Sequence, residues 1–211
     1  MRKNPDNRVG LRPTPGMNVP NKLTVSRLAL TLLLLVALFI PFPFHATVAL
    51  VLFVAASITD YFDGAIARRD QLITNFGILM DPLADKILIC SAFIAFVELR
   101  WMPAWMVVAI VARELAITGL RLLAASKNLV LAAEGFGKHK TGSQIACICA
   151  ILVSMAYPTW GDWGRMIFEI PAASPWVAWF TVASKWLAVV LTLLSGSLYL
   201  WRNRQIYLSD M

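Results

Sequence analysis

Six stretches of the 211-residue chain are built largely from Leu, Val, Ile, Ala, Phe and Met, and each is about 20 residues long. An α-helix rises 1.5 Å per residue, so a run of about 20 such residues crosses the hydrocarbon of a bilayer. The stretches fall at residues 24–41, 46–67, 79–98, 104–124, 141–159 and 176–201, separated by turns that carry Pro, Gly or charge. The pattern predicts an all-α integral membrane protein with six transmembrane helices. Residues 1–23 read as a short juxtamembrane segment, 24–204 as the six-helix domain and 205–211 as a tail. The segment through Pro20, with Pro5, Pro13, Pro15 and Gly16, is expected to be flexible at its start and to lie along the membrane surface nearer Asn21.

Composition agrees. The chain is 59% hydrophobic and 15% charged, with a mean hydropathy of +0.68. Ordinary globular domains are about a quarter charged, and disordered, collagenous or disulfide-scaffold classes do not have this composition. The net charge of +7 would suggest a nucleic-acid partner in a soluble protein, but here topology accounts for it and no nucleic acid is expected. Arg2, Lys3, Arg8, Arg12, Lys22 and Arg27 precede or open the first run. Arg68, Arg69, Arg121, Lys127, Lys138, Lys140, Arg202 and Arg204 fall on the same side, against Arg100 and Arg165 on the other. Basic residues stay in the cytoplasm, so both termini are expected there. Trp101, Trp105, Trp160, Trp163, Trp176 and Trp179 gather at the opposite ends, where amphipathic rings favour the headgroup level. Cys90, Cys147 and Cys149 lie inside apolar runs and read as small buried hydrophobes.

Charges inside spanning segments cost roughly 2.5 to 3.5 kcal/mol each at mid-membrane, so those present ask for a reason. The second run ends in SITDYFDGAIARR and the third opens with FGILMDPLADKI. On a helix Asp60, Asp63, Gly64, Ala67 and Arg68 form one stripe, and Gly77, Asp81 and Asp85 another. A short turn joins the two runs, so the stripes are expected to face each other near the cytoplasmic end. Two carboxylates about 5 Å apart repel by roughly 3 kcal/mol at an effective dielectric near 20. Either some hold protons or cations neutralise them. Hard divalent ions such as Mg²⁺ or Mn²⁺ take carboxylate oxygens together with a substrate phosphate, which points to phosphoryl transfer. The small residues leave room for a ligand to approach the helix backbone, and the fork of Arg68 suits a phosphate. Taken singly, a Gly here serves helix packing and an Asp a helix cap; the whole set points to a site.

DYFDGAIAR followed by GILMDPLAD resembles the signature of the CDP-alcohol phosphatidyltransferase family, with every signature position between 60 and 85 present. The resemblance implies a six-helix enzyme, usually a homodimer, that moves a phosphatidyl group from CDP-diacylglycerol to an alcohol and releases CMP. It implies that Asp60, Asp63, Asp81 and Asp85 hold two divalent cations, Mg²⁺ or Mn²⁺, and that Asp85 is the general base for the acceptor hydroxyl. Asp60, Gly64, Ala67, Arg68 and Gly77 would bind the CDP-lipid. The setting implied is a bacterial inner membrane, with membrane lipids around the protein and the site facing the cytoplasm.

The acceptor must be read from other charges. The fourth run contains VARELAITGLR and the fifth follows GFGKHKTGSQ. Arg113, Arg121, Lys138 and Lys140 are candidates for binding a phosphorylated acceptor. Arg113 and Arg121 are about 80° out of register on a helix, and Lys138 and Lys140 lie on opposite sides of one, so convergence is not assured. Positive-inside or anionic-lipid contacts are the competing reading for Arg121, Lys138 and Lys140. Glu114 is a partner for Arg113 or for Lys86. PNKLTVSR, ARELAITGLR and GKHKT resemble the branch of the family whose acceptor is sn-glycerol 3-phosphate; TLLSGSLYL resembles the family without assigning a role. Other acceptors (inositol phosphate, serine, phosphatidylglycerol) stay open, as does a divalent-cation transporter, since acids between helices also mark ion paths. Lys185 reads as a side chain snorkelling to the outer interface, and His45 and His139 lack a second ligand at metal spacing. No Ser-His-Asp or Cys-His arrangement offers a covalent nucleophile, so direct displacement is expected.

Overall fold

The computed structural model describes the backbone at residues 19–70, 75–126, 136–169 and 176–205, and the side chains at 25–59, 86–124, 140–169 and 176–205. Every regular element among these is helical. The chain forms α1 (Val19–Phe39), α2 (His45–Asp70), α3 (Asn75–Glu98), α4 (Ala104–Ser126) and α5 (Phe136–Ala156). After α5 come a single 3₁₀ turn (Tyr157–Trp160), the short α6 (Gly161–Phe168) and α7 (Trp176–Arg202). Six of the helices, all but α6, coincide with the six apolar runs. Their ends differ by a few residues: α1 takes in Asn21, α2 continues to Asp70, and α3 starts four residues before the predicted 79. α3 runs through Pro82, its eighth residue, where the missing N–H leaves the carbonyl of Ile78 without its usual intrahelical donor. The eight-residue α6 was not expected from the sequence.

Two helical stretches, Lys140–Phe168 and Trp176–Arg202, are long and apolar enough to cross a membrane, and Val25–Phe39 and His45–Thr59 are shorter apolar helices. The bundle packs α1 against α2 and α3, α5 against α2 and α7, and α4 against α7 and α3. Its centre is a single cluster in which Leu34, Phe53, Phe93, Phe96, Ile110 and Ile151 are wholly buried. Large apolar side chains also face outward, among them Leu32, Val51, Val108, Leu115, Trp179 and Leu187, each more than half exposed. Such a continuous apolar exterior suits lipid rather than water.

Aromatic residues mark one end of the bundle. Trp160, at the end of the 3₁₀ turn, donates from Nε1 to Thr47 Oγ1 at 2.8 Å and ties that turn to the start of α2. Phe168 of α6 stacks on Trp176 with ring centroids 5.6 Å apart. The turn from α3 to α4 lies at the same end. It is a C-terminal cap in which Trp101 N–H reaches Phe96 O (2.8 Å) and Arg100 N–H reaches Val97 O (3.0 Å), with Arg100 at φ 59° where glycine is usual. Lys185 of α7 donates to the carbonyl of Trp101, so this cation ends on the cap. His45 Nδ1 lies 3.2 Å from Ala37 O and closes the α1–α2 turn. All three cysteines are free, and Cys147 is buried.

Candidate functional site

The aspartate stripes lie on helical backbone, Asp60, Asp63, Gly64, Ala67 and Arg68 on α2 and Gly77, Asp81 and Asp85 on α3. Their side chains lie outside the described residues, as does that of Lys138 on the first turn of α5. In the described halves of α2 and α3, α1 packs against both.

One residue beyond Asp85 the described side chains begin, and with them a buried polar cluster. Glu114 on α4 is 6% exposed, a position that a carboxylate holds only with compensating charge. It has two cations: Arg113 Nη1 at 3.1 Å and Lys140 Nζ, both on Oε1. Lys140, from α5, is itself buried. Lys86 of α3 donates to Thr118 Oγ1, and the Thr118 hydroxyl donates in turn to Glu114 O at 2.7 Å, the residue one turn back on α4. Three helices therefore contribute to one site, whose described part holds three cations and one carboxylate. Of the two partners weighed for Glu114, Arg113 is bonded to it, and Lys86, bonded to Thr118, stands close enough to add to the positive field on it; Lys140 is a third cation that the sequence did not pair with it.

A small cavity opens between α3, α4 and α5, lined by Lys86, Ile89, Cys90, Glu114, Lys140, Thr141 and Gln144. Gln144 Nε2 is held by Thr192 Oγ1 at 3.1 Å, so the amide is fixed against α7. Of the four acceptor candidates read from the sequence, Lys140 lines this cavity. Arg113 does not. Its guanidinium turns toward α7, where Nη2 donates to Ser195 Oγ at 3.2 Å and its stem crosses Gly196. A Cβ at Gly196 would stand 2.6 Å from Arg113 Cγ, so only glycine lets α4 and α7 approach this closely. Arg113 Nε is buried with no hydrogen-bond partner among the described residues. Arg121, two turns on, is exposed and shares no ion pair with this cluster among the described residues.

Sequence reasoning gave no site role to Lys86, Thr118, Gln144, Ser195 or Gly196. For Ser195 and Gly196 a signal was present, the small polar pair in the Leu-rich TLLSGSLYL. For Thr118 and Gln144 there was none, since a single hydroxyl or amide on a helix does not disclose which neighbour it meets.

Among known proteins, the chain is 37% identical over 198 residues to the CDP-diacylglycerol–glycerol-3-phosphate 3-phosphatidyltransferase of Bacillus subtilis, covering 88% of this chain and 95% of that one. It is 30% identical to the enzyme of the same name from Rickettsia bellii, over 86% of this chain and 93% of the relative. It is also 34% identical to a CMP-forming cardiolipin synthase of rice, over 65% of this chain and 46% of the relative. Residues 17–194 match the CDP-alcohol phosphatidyltransferase domain, and the chain belongs to that family.

Proposed function

We propose that this protein transfers the phosphatidyl group of CDP-diacylglycerol to sn-glycerol 3-phosphate, giving phosphatidylglycerophosphate and CMP. The relatives from Bacillus subtilis and Rickettsia bellii carry this activity in their names and align along almost their whole length. The observation that carries the choice of acceptor is the polar cluster beside the signature helix, where Arg113 and Lys140 pair with Glu114 and Lys86 lines the same cavity as Lys140. A phosphate dianion complements such a site; a neutral acceptor has no need of it.

The donor set of Asp60, Asp63, Asp81 and Asp85 is all oxygen and sits on helical backbone of two successive helices, which fits two Mg²⁺ or Mn²⁺ ions. Bound there, the cations would polarise the diphosphate and neutralise its non-bridging oxygens. Asp60, Gly64, Ala67, Arg68 and Gly77 hold the CDP-lipid, the small residues by leaving space and Arg68 by pairing with the diphosphate. Asp85 accepts the proton of the acceptor hydroxyl as its oxygen bonds to the lipid-side phosphorus and the bond from that phosphorus to the CMP oxygen breaks. Lys140, with Arg113, Arg121 and Lys138 as the further candidates, holds the acceptor phosphate.

In this reading α1 to α5 and α7 span a bacterial inner membrane, with 24–204 as the catalytic domain, residues 1–23 and 205–211 on the cytoplasmic side, and a homodimer as the working unit. The gathering of tryptophans at the end of the bundle away from residues 60–85 supports this orientation. Against an ion path, Asp60, Asp63, Asp81 and Asp85 are all carried toward one end of the bundle, on the end of α2 and the start of α3.

The test is CMP release by purified protein given CDP-diacylglycerol, glycerol 3-phosphate and Mg²⁺. Release is expected, lost on chelation and absent in Asp81→Asn. No metal-dependent release with any alcohol would defeat the reading, and preference for phosphatidylglycerol or serine over glycerol 3-phosphate would reassign the acceptor.

A further inference from the structure

The short helix α6 has no part in the reaction, yet it is firmly seated. Gly161, at φ 68° in the left-handed region, breaks the helical path between the 3₁₀ turn and α6. The helix then packs chiefly on that turn. Gly164 is buried against it, and a Cβ there would collide with the carbonyl of Tyr157. The ring of Phe168 sits among those of Tyr157, Trp160 and Trp176, at centroid distances of 5.7, 5.8 and 5.6 Å. Trp176 Nε1 donates to Ile167 O at 2.8 Å, which ties α6 to the start of α7. Eight residues make a helix about 12 Å long, far short of the roughly 30 Å of a bilayer's hydrocarbon, so α6 stays at the end of the bundle away from residues 60–70.

Successive residues of a helix stand about 100° apart, which divides α6 into three sectors. Gly164 and Phe168 form the one that meets the bundle. Asp162 and Arg165 form a second, exposed and polar. Trp163, Met166 and Ile167 form the third, about 120° from either, and are 76%, 78% and 57% exposed. A helix lying flat at the boundary of hydrocarbon and water needs these three sides, one on protein, one in lipid and one in water. The surface next to the apolar sector indicates what covers it. Trp176, Trp179 and Phe180 open the outward face of α7, a helix long and apolar enough to cross a membrane, and Trp176 is the residue bonded to α6. The charges of Asp162 and Arg165 offset each other, so α6 offers no net charge to an acidic or basic partner. We infer that α6 is an interfacial helix. Its Trp163, Met166 and Ile167 side lies in phospholipid at the headgroup–acyl boundary of the leaflet opposite the aspartate signature, with Asp162 and Arg165 toward water, and it anchors the start of α7 at that depth. This rests on the reading that α7 spans the bilayer and adds a lipid contact outside the six spans.

The experiment uses the full-length protein in nanodiscs of phosphatidylcholine and phosphatidylglycerol, with one spin label at a time. Labels go on Asp162→Cys, Trp163→Cys, Arg165→Cys, Met166→Cys, Ile167→Cys and, in the middle of α7, Leu187→Cys. The background carries Cys90→Ala, Cys147→Ala and Cys149→Ala. Depth is read from relaxation by oxygen, which partitions into lipid, against relaxation by a nickel chelate, which stays in water. Labels at 163, 166 and 167 should lie about 5–10 Å below the phosphates, and those at 162 and 165 at or above them. The label at 187, about 16 Å along α7 from Trp176, should lie near the bilayer centre. Chelate access at all five α6 positions, with 187 deep, overturns the inference. Labels at 163, 166 and 167 shielded from both reagents also overturn it, because a second copy or another protein then covers that side. Chelate access at 187 defeats the spanning reading itself, and the inference with it. If the alanine background does not fold, Trp163→Phe in the protein with its native cysteines decides. The fluorescence lost in that variant should be quenched more by lipids brominated high on the acyl chain than low on it, and quenching by neither overturns the inference.

Discussion

Gly196→Ala tests the junction of α4 with α7, which positions Arg113 and through it Glu114. The added methyl carbon would stand 2.6 Å from Arg113 Cγ, about 0.8 Å inside the 3.4 Å at which ordinary contact begins. The atom struck is in the middle of the arginine stem, so swinging the tip away does not relieve it. Moving the stem draws on bonds already near the long end of their range, 3.1 Å to Glu114 and 3.2 Å to Ser195. A displacement of about 0.8 Å away from both would break them. Overpacking of a buried contact costs about 1–3 kcal/mol, and a hydrogen bond to a charged group contributes about 1.5–3 kcal/mol, so a net loss near 2 kcal/mol is expected. For a chain of this size that lowers the melting temperature by roughly 4–8 °C. Thermal unfolding of the detergent-solubilised protein measures it. The decisive comparison is the cycle with Arg113→Ala, because the alanine at 196 should cost almost nothing once the arginine stem is gone. An unchanged melting temperature for Gly196→Ala, or the same penalty in both backgrounds, would refute the reasoning.

Two further outcomes follow from buried polar contacts. Glu114→Gln removes the carboxylate shared by the half-buried Arg113 and the buried Lys140; a loss of about 3 kcal/mol and a sharp fall in CMP release are expected, and wild-type thermal unfolding would contradict the pairing. Trp160→Phe deletes the donor to Thr47 at the far end of the bundle; about 1 kcal/mol, or roughly 2–4 °C, should be lost with KM for both substrates unchanged, and a shift in either KM would show that the two ends are coupled.

The helices were legible because a run of 20 apolar residues admits few other structures, and all six runs lie on long helices. Their ends were less so: α1 begins at Val19 and takes in Pro20 and Asn21, and α2 runs on through Arg68 and Arg69 to Asp70, where Pro or charge pointed to an end. α6 escaped because eight residues containing two glycines carry too short a period to read, although it turns Trp163, Met166 and Ile167 outward. At the site, periodicity gives the face on which a residue lies but not the helix that meets it. Hence Glu114 was recognised as needing a cation, while Lys140, 26 positions away, emerges only from the packing of α5 beside α4. Arg113 shows the same limit in the opposite direction: an arginine inside an apolar run near a phosphate-transfer signature suggests a ligand contact, yet Ser195 and Gly196 draw it against α7.

The polar residues of α5 and α7 explain how the charged cluster is kept in place. Ser154 and Thr181 hydroxyls meet at 2.8 Å, and further along the same seam Gln144 reaches Thr192 at 3.1 Å. From the first pair to the second, α5 runs back ten positions while α7 advances eleven, which is the register of two antiparallel helices in continuous contact over about 15 Å. Thr181 also donates to its own turn at Val177 O, 2.8 Å away, so these hydroxyls have partners without water. Ala150, Ala188 and Gly196 keep the seam narrow. One turn beyond Gln144 the uncharged contacts give way to Lys140, and one turn beyond Thr192 to Ser195 and the arginine it holds. The seam thus acts as a rail: neutral contacts of modest strength fix the height of α5 against α7, and that height sets Lys140 level with Glu114. On the acceptor reading proposed above, cations carried on such a rail hold their positions before the phosphate arrives, so less of the binding energy is spent on ordering them when it does.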